Sequence, residues 1–167
     1  MGGMSQVELT FRSELSAPRD RVWAWVTSTE GISRELWPIL RMTAPHGVKS
    51  IGDVPIEPGN PLFRSWILLF GIIPIDRSDL TLLSLDVGQR FVEQSPMLSM
   101  SLWRHVRTLE ADGERTLLTD ELTFRPRLAT ALTRWFIEKV FHHRHAVLKR
   151  HFGSDARTAT RDRTVVR

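Results

Sequence analysis

His105 and Asp120 stand fifteen residues apart with Asp112-Gly113 midway between them, and that spacing gives them the chance of a joint chemistry. Asp-Gly between two strand-like runs is a strong hairpin signal. With these two as the loop residues, Ala111 faces Glu114 and His105 faces Asp120 across the hairpin. The same register sets Trp103 opposite Leu122, Arg107 opposite Leu118 and Ser101 opposite Phe124, and it pairs Arg104 with Glu121 on the other face. A slip of one residue would flip every side chain and lose both charge pairs. Leu118, Leu122 and Phe124 mark the His105/Asp120 face as the inner one. An imidazole oriented by a carboxylate gains basicity and a fixed tautomer, which suits a general base or a ligand anchor. The structural alternative is a satisfied internal polar pair without chemistry.

Arg144 is the second candidate. Ile137, Val140, Phe141, Leu148 and Phe152 recur at helical spacing, and Arg144 falls within their stripe. A charge there needs either a buried partner or a ligand. An earlier stripe of Leu128, Ala131, Leu132 and Trp135 points the other way, as a rim patch for self-association or as a face that a kink keeps buried. His142, His143, His145 and His151 bring metal-binding side chains, yet only His142 and His145 share a face and no carboxylate completes a ligand set. Solvated helix histidines are therefore expected, with no metal site. Ser99 and Ser101 share the face of His105 but lack the signature of a nucleophile elbow. The chain has no Cys and no Tyr, which removes thiolate ligation, disulfides, a cysteine nucleophile and phenolic acid–base chemistry.

These residues need elements to position them. Val7 to Ser13 alternates apolar and polar, as a half-buried strand does. Ser16-Ala17-Pro18 reads as a helix start with a Ser cap, followed by Val22, Trp25 and Val26 on one stripe, and a second short helix is expected over Thr29 to Leu36. A Gly/Pro-rich loop from Ala44 to Pro61 leads into strand-like runs at Leu62–Phe70, Arg77–Leu85, Arg90–Gln94, Leu98–Glu110 and Arg115–Arg125. A long helix is expected from about Leu128 to Phe152, closed by Gly153. Strands segregated from helices make this an α+β fold, with the last helix across the concave side of a curved antiparallel sheet.

Composition sets the wider frame. The 167 residues carry a formal charge of +4, unevenly placed: residues 1–126 hold 13 basic and 16 acidic side chains, residues 127–167 hold 10 and 3. One domain is expected over residues 6–153, after a disordered stretch at 1–5 and before a flexible basic tail at 154–167. The tail reads as a solubilising end, with no nucleic-acid partner expected. The most apolar window, Ser65 to Ile75, has 11 residues where a spanning helix needs about 20, and no targeting segment is evident, so a cytoplasmic protein is the simplest expectation.

The order of these elements carries a resemblance. The opening Ser16-Ala17-Pro18-Arg19-Asp20-Arg21-Val22-Trp23, the run Trp103-Arg104-His105 followed by Leu117-Leu118-Thr119-Asp120, then Phe124-Arg125-Pro126, and the late Phe141-His142-His143-Arg144-His145 with Leu148 resemble the START-like helix-grip superfamily (SRPBCC), which includes polyketide cyclase/dehydrase and lipid-transport proteins. The resemblance covers about residues 6 to 153. It implies a seven-stranded sheet gripping the C-terminal helix around a mainly apolar cavity for a small hydrophobic ligand. Nothing resembles the Rieske iron–sulfur signature found elsewhere in the superfamily, and no cofactor is expected. The expected ligand-binding side chains are Trp103, Arg107, Leu118, Leu122, Phe124, Ile137, Val140, Phe141, Arg144 and Leu148, with a polar or anionic ligand end near the arginines and His105/Asp120. Carriage or sensing of a lipid or polyketide is the leading expectation. A metal-free cyclase or dehydratase using His105 and Asp120 is the alternative, and an interaction module or homodimer through Leu128, Leu132 and Trp135 is the third.

Overall fold

The computed structural model describes residues 5–153 and the two-residue strand Val165–Val166. β1 (Val7–Leu15) buries every second side chain, and α1 (Arg19–Val26) and α2 (Thr29–Leu36) follow it. β2 (Leu40–Met42), β3 (Pro61–Leu69), β4 (Ile73–Asp86), β5 (Arg90–Gln94), β6 (Met100–Asp112) and β7 (Arg115–Pro126) precede the long α3 (Thr130–Phe152). The curled antiparallel sheet runs β2-β3-β4-β5-β6-β7-β1, and Val165–Val166, β8, adds to the outer side of β1. The remainder of the expected tail lies outside the described residues. The architecture is the helix grip: seven strands curled against one C-terminal helix, with two short helices after the first strand.

Local chemistry explains most boundaries. The Ser28 hydroxyl accepts from the Gly31 amide at 2.9 Å and caps α2. Gly31 is required there, because a Cβ would sit 2.1 Å from the Trp25 carbonyl oxygen. The expected Ser16 cap is not formed. Pro18 occupies the N-cap of α1 without a side-chain cap, and the Ser16 amide instead donates to the Gly153 carbonyl at 3.1 Å, fastening the end of α3 to the end of β1. α3 begins two residues later than its apolar pattern suggests, after Ala129 in the left-handed region, so Leu128 belongs to the connection from β7.

The β6–β7 register corrects the expected one by two residues. Asp112 pairs with Arg115, leaving Gly113-Glu114 as the turn, with Gly113 at φ +59°. Arg107 therefore faces Asp120, His105 faces Leu122 and Trp103 faces Phe124, while Val106 rather than Arg104 faces Glu121. A two-residue turn that places glycine first also suits the twist of a hairpin. A shift of two preserves the faces, so the inner set is the expected inner set with new partners.

Candidate functional site

Strand β6 and helix α3 converge on one buried carboxylate of β7. Asp120 on β7 is fully buried and accepts four hydrogen bonds. Arg107, directly opposite on β6, donates from Nε and Nη2 at 2.7 Å each, a bidentate fork that matches the carboxylate plane. His105 donates from Nε2 at 2.7 Å, and His145 on α3 donates from Nε2 at 2.9 Å. His145 Nδ1 meets the Ser13 hydroxyl of β1 at 2.7 Å. Burial alone would raise the pKa of Asp120, but the neighbouring Arg107 and then His105 outweigh it and hold the carboxyl well below its ordinary value. Burial pulls Arg107 the other way, and the charges of Asp120 and Glu35 overcome it and raise its pKa.

Glu35, fully buried near the end of α2, joins the arginines. Arg107 Nη1 donates to it at 3.1 Å, and Arg144 on α3 donates from Nε at 3.0 Å with Nη2 at 2.8 Å. Arg144 thus finds a buried partner in the middle of its apolar stripe. Arg107 bridges Asp120 and Glu35, and Arg144 joins at Glu35, in one continuous ionic cluster that ties α2, β6, β7 and α3 together.

Beside this cluster lies a cavity of about 480 Å³ between the sheet and α3. Leu40, Ile67, Leu82, Met100, Phe136 and Val140 are among its mainly apolar lining, and Glu93, His105 and Arg144 reach it from the cluster side. The His105 ring is held edge-on between Phe91 and Phe141, at centroid distances of 5.4 and 5.3 Å. Glu93 faces His105 directly in the β5–β6 register, with Oε2 3.6 Å from Nδ1. Ser78 and Asp76 on β4 add a second polar stretch to the lining.

Of the expected side chains, Trp103, His105, Ile137, Val140, Phe141 and Arg144 line this cavity. Arg107 and Asp120 lie behind its wall, where each is surrounded by its ion-pair partners. Leu122 and Phe124 pack in the core beside the cavity, and Leu118 and Leu148 pack in a separate core against α1, so these four are off the cavity wall. The helix histidines divide: His142 and His151 are exposed, with His151 stacked on Trp25 at 3.9 Å, whereas half-buried His143 donates to the Trp37 carbonyl at 2.6 Å and His145, buried on Asp120, corrects the expectation of solvation. Among the described residues no group of three or more His, Asp or Glu side chains is placed to hold a metal ion. Glu35 and Glu93 were missed. Each carried a signal: Glu35 interrupts the apolar stripe of Ile32 and Leu36, and Glu93 shares the inward side of its strand with Phe91.

Sheet, helix and cavity together have the START-like helix-grip fold. The family described as Domain of unknown function (DUF8410) matches residues 13–152, and the chain belongs to that family. No curated protein matches the sequence. Among solved structures, protein CV1439 from Chromobacterium violaceum is similar at 14% identity and TM-score 0.67, covering 89% of this chain and 98% of that one. A START superfamily protein from Mycobacterium smegmatis is similar at 8% identity and TM-score 0.62, covering 87% and 97%. DynU16, from the dynemicin biosynthetic locus, is similar at 16% identity and TM-score 0.56, covering 86% of this chain and 46% of that one. At these identities the likeness is one of fold. No helix among the described residues is long and apolar enough to cross a membrane.

Proposed function

We propose that the protein binds a small hydrophobic molecule in the cavity between the sheet and α3, as a carrier or a sensor. The observation that carries this reading is the cavity itself: about 480 Å³ of mainly apolar lining with a few polar groups set into it. A concave, mainly apolar surface of this size is the form that small-molecule sites take. The START superfamily membership of one structural neighbour and the biosynthetic locus of another support the same reading. Trp103, Ile137, Val140 and Phe141 would contact the apolar body of the ligand, and His105 and Arg144 its polar end. Arg107 and Asp120 then act as positioning residues, fixing His105 and Arg144 through their shared ion pairs.

Titration with the lipophilic fluorophore N-phenyl-1-naphthylamine tests it. One saturable site per chain is expected, together with an extractable apolar molecule in native mass spectra of the purified protein. Absence of both saturable binding and a co-purified molecule would sink the reading.

One geometric feature favours a second reading, a cyclase or dehydratase. Asp120 has no proton to give, so it fixes the His105 proton on Nε2 and leaves Nδ1 as the basic atom beside the cavity. On a polyketide-like substrate Nδ1 would remove a proton, and Arg144 would stabilise the resulting enolate. His105→Ala then abolishes turnover while preserving binding; equal loss of both counts against it.

A further inference from the structure

We infer that the cavity selects apolar molecules bearing a hydroxyl or amine donor and discriminates against carboxylate anions such as fatty acids. This rests on the binding reading above and names its ligand class. The two arginines look like an anion anchor in the sequence, yet the structure gives both to protein carboxylates. Arg107 is fully buried, with Nε and Nη2 on Asp120 and Nη1 on Glu35. Arg144 lines the cavity, but its Nε and Nη2 are both held by Glu35.

Asp120, Glu35 and Glu93 are three carboxylates facing two guanidiniums, so neither arginine has charge to spare for a ligand anion. Glu93 is the carboxylate of the three that lines the cavity. Its Oε1 accepts from the Ser95 hydroxyl at 2.8 Å, whereas Oε2 has only His105 Nδ1 at 3.6 Å. Since Nε2 of His105 carries the proton given to Asp120, Nδ1 and Oε2 are two acceptors side by side. A ligand O–H or N–H entering there supplies the donor that both lack. A ligand carboxylate brings a third acceptor and a further negative charge into a poorly solvated site, which is doubly unfavourable.

The other polar stretch points the same way. Asp76 accepts from the amides of Arg77, Leu98 and Ser99 and from the Ser99 hydroxyl, all uncharged donors. Beside it the Ser78 hydroxyl is 2% exposed, lines the cavity and has no hydrogen-bond partner. A neutral group of the ligand can satisfy it, and among the described residues that line the cavity Arg144, already held by Glu35, is the only Lys or Arg.

Displacement of N-phenyl-1-naphthylamine by dodecan-1-ol, dodecylamine and dodecanoate at pH 8 reads the selectivity with chain length held constant. The alcohol and the amine should displace at concentrations at least tenfold lower than the carboxylate, and Glu93→Gln should narrow that gap. Dodecanoate competing as well as or better than the other two overturns the inference while the binding reading stands. So does bound fluorophore that none of the three displaces. Failure of the fluorophore itself to bind the wild-type chain overturns the binding reading instead.

Discussion

Arg107 and Asp120 face each other across β6 and β7 and share two parallel hydrogen bonds of 2.7 Å, wholly enclosed by protein and one layer behind the cavity wall. The pair is therefore a scaffold for the cavity rather than part of its surface. His105 and Arg144 reach the cavity from positions that this pair and Glu35 hold in place.

Removing one charge from such an assembly leaves others buried without compensation. Asp120→Asn should destabilise the fold by about 3–5 kcal/mol in urea denaturation, because Arg107 keeps only Glu35 as a counter-charge and the amide sets an NH2 donor where one oxygen now accepts two hydrogen bonds. A loss below about 1 kcal/mol would mean that the cluster is not a structural keystone.

The same carboxylate sets an acid limit. Its folded pKa lies below its unfolded one, chiefly because Arg107 overcomes the cost of burial. Its stabilising contribution is therefore complete above the unfolded value of about 4 and fades as the pH falls through the lower folded value. The stability difference between wild type and Asp120→Asn should be full at pH 6 and shrink below pH 4. A difference that stays constant down to pH 3 would show that another group governs acid unfolding.

What could be read from the sequence divides along the range of the interactions. Pro38 marked the end of α2 at Leu36, because a residue before proline is pushed out of the helical region, and apolar periodicity placed the buried stripe of α3, where burial acts on every turn. The inner face of the β6–β7 hairpin was also legible, since alternation survives a two-residue shift. The pairing itself was not: the choice between Asp112-Gly113 and Gly113-Glu114 as turn residues depends on backbone twist, and it moved Asp120 from His105 to Arg107. Glu35 and His145 were illegible as partners because they meet through α2 and α3, at separations of 72 residues from Arg107 and 25 from Asp120. Arg144 announced a buried partner or a ligand, but its own position could not say which acid would supply it.

The two stripes of α3 make a controlled comparison. Leu148 is completely buried against α1, whereas Leu132, on the earlier stripe, is 64% exposed. Leu148→Ala should cost about 2–5 kcal/mol by thermal or urea unfolding. Leu132→Ala should stay within about 0.5 kcal/mol. Comparable losses at the two sites would indicate that the Leu132 face is covered in solution.

Gly31 tests the entry to α2, which carries Glu35 into the cluster. Its hypothetical Cβ lies 2.1 Å from the Trp25 carbonyl oxygen and 2.9 Å from the capping Ser28 hydroxyl. Gly31→Ala must push α1 and α2 apart and disturb the cap, at about 1–3 kcal/mol by analogy with overpacked cores. Alanine is otherwise the better helix former, so a stabilised Gly31→Ala protein would contradict the tight approach of the two helices.

Ser78 gives the cavity a second measure of length. It bridges Met97 while Leu82, four residues along β4, pairs with Glu93, so Ser78 lies about 13 Å from the Glu93 pairing at roughly 3.3 Å per residue. A twelve-carbon diol is long enough to reach from one to the other. In the wild type 1,12-dodecanediol should bind more tightly than dodecan-1-ol, because its far hydroxyl meets the unpartnered Ser78 Oγ. One such hydrogen bond contributes about 1 kcal/mol, or roughly fivefold in affinity. Ser78→Ala should erase that advantage and leave dodecan-1-ol unchanged, as displacement titrations of both ligands on both proteins would read. An equal loss for the two ligands would assign Ser78 to the packing of β4 rather than to recognition.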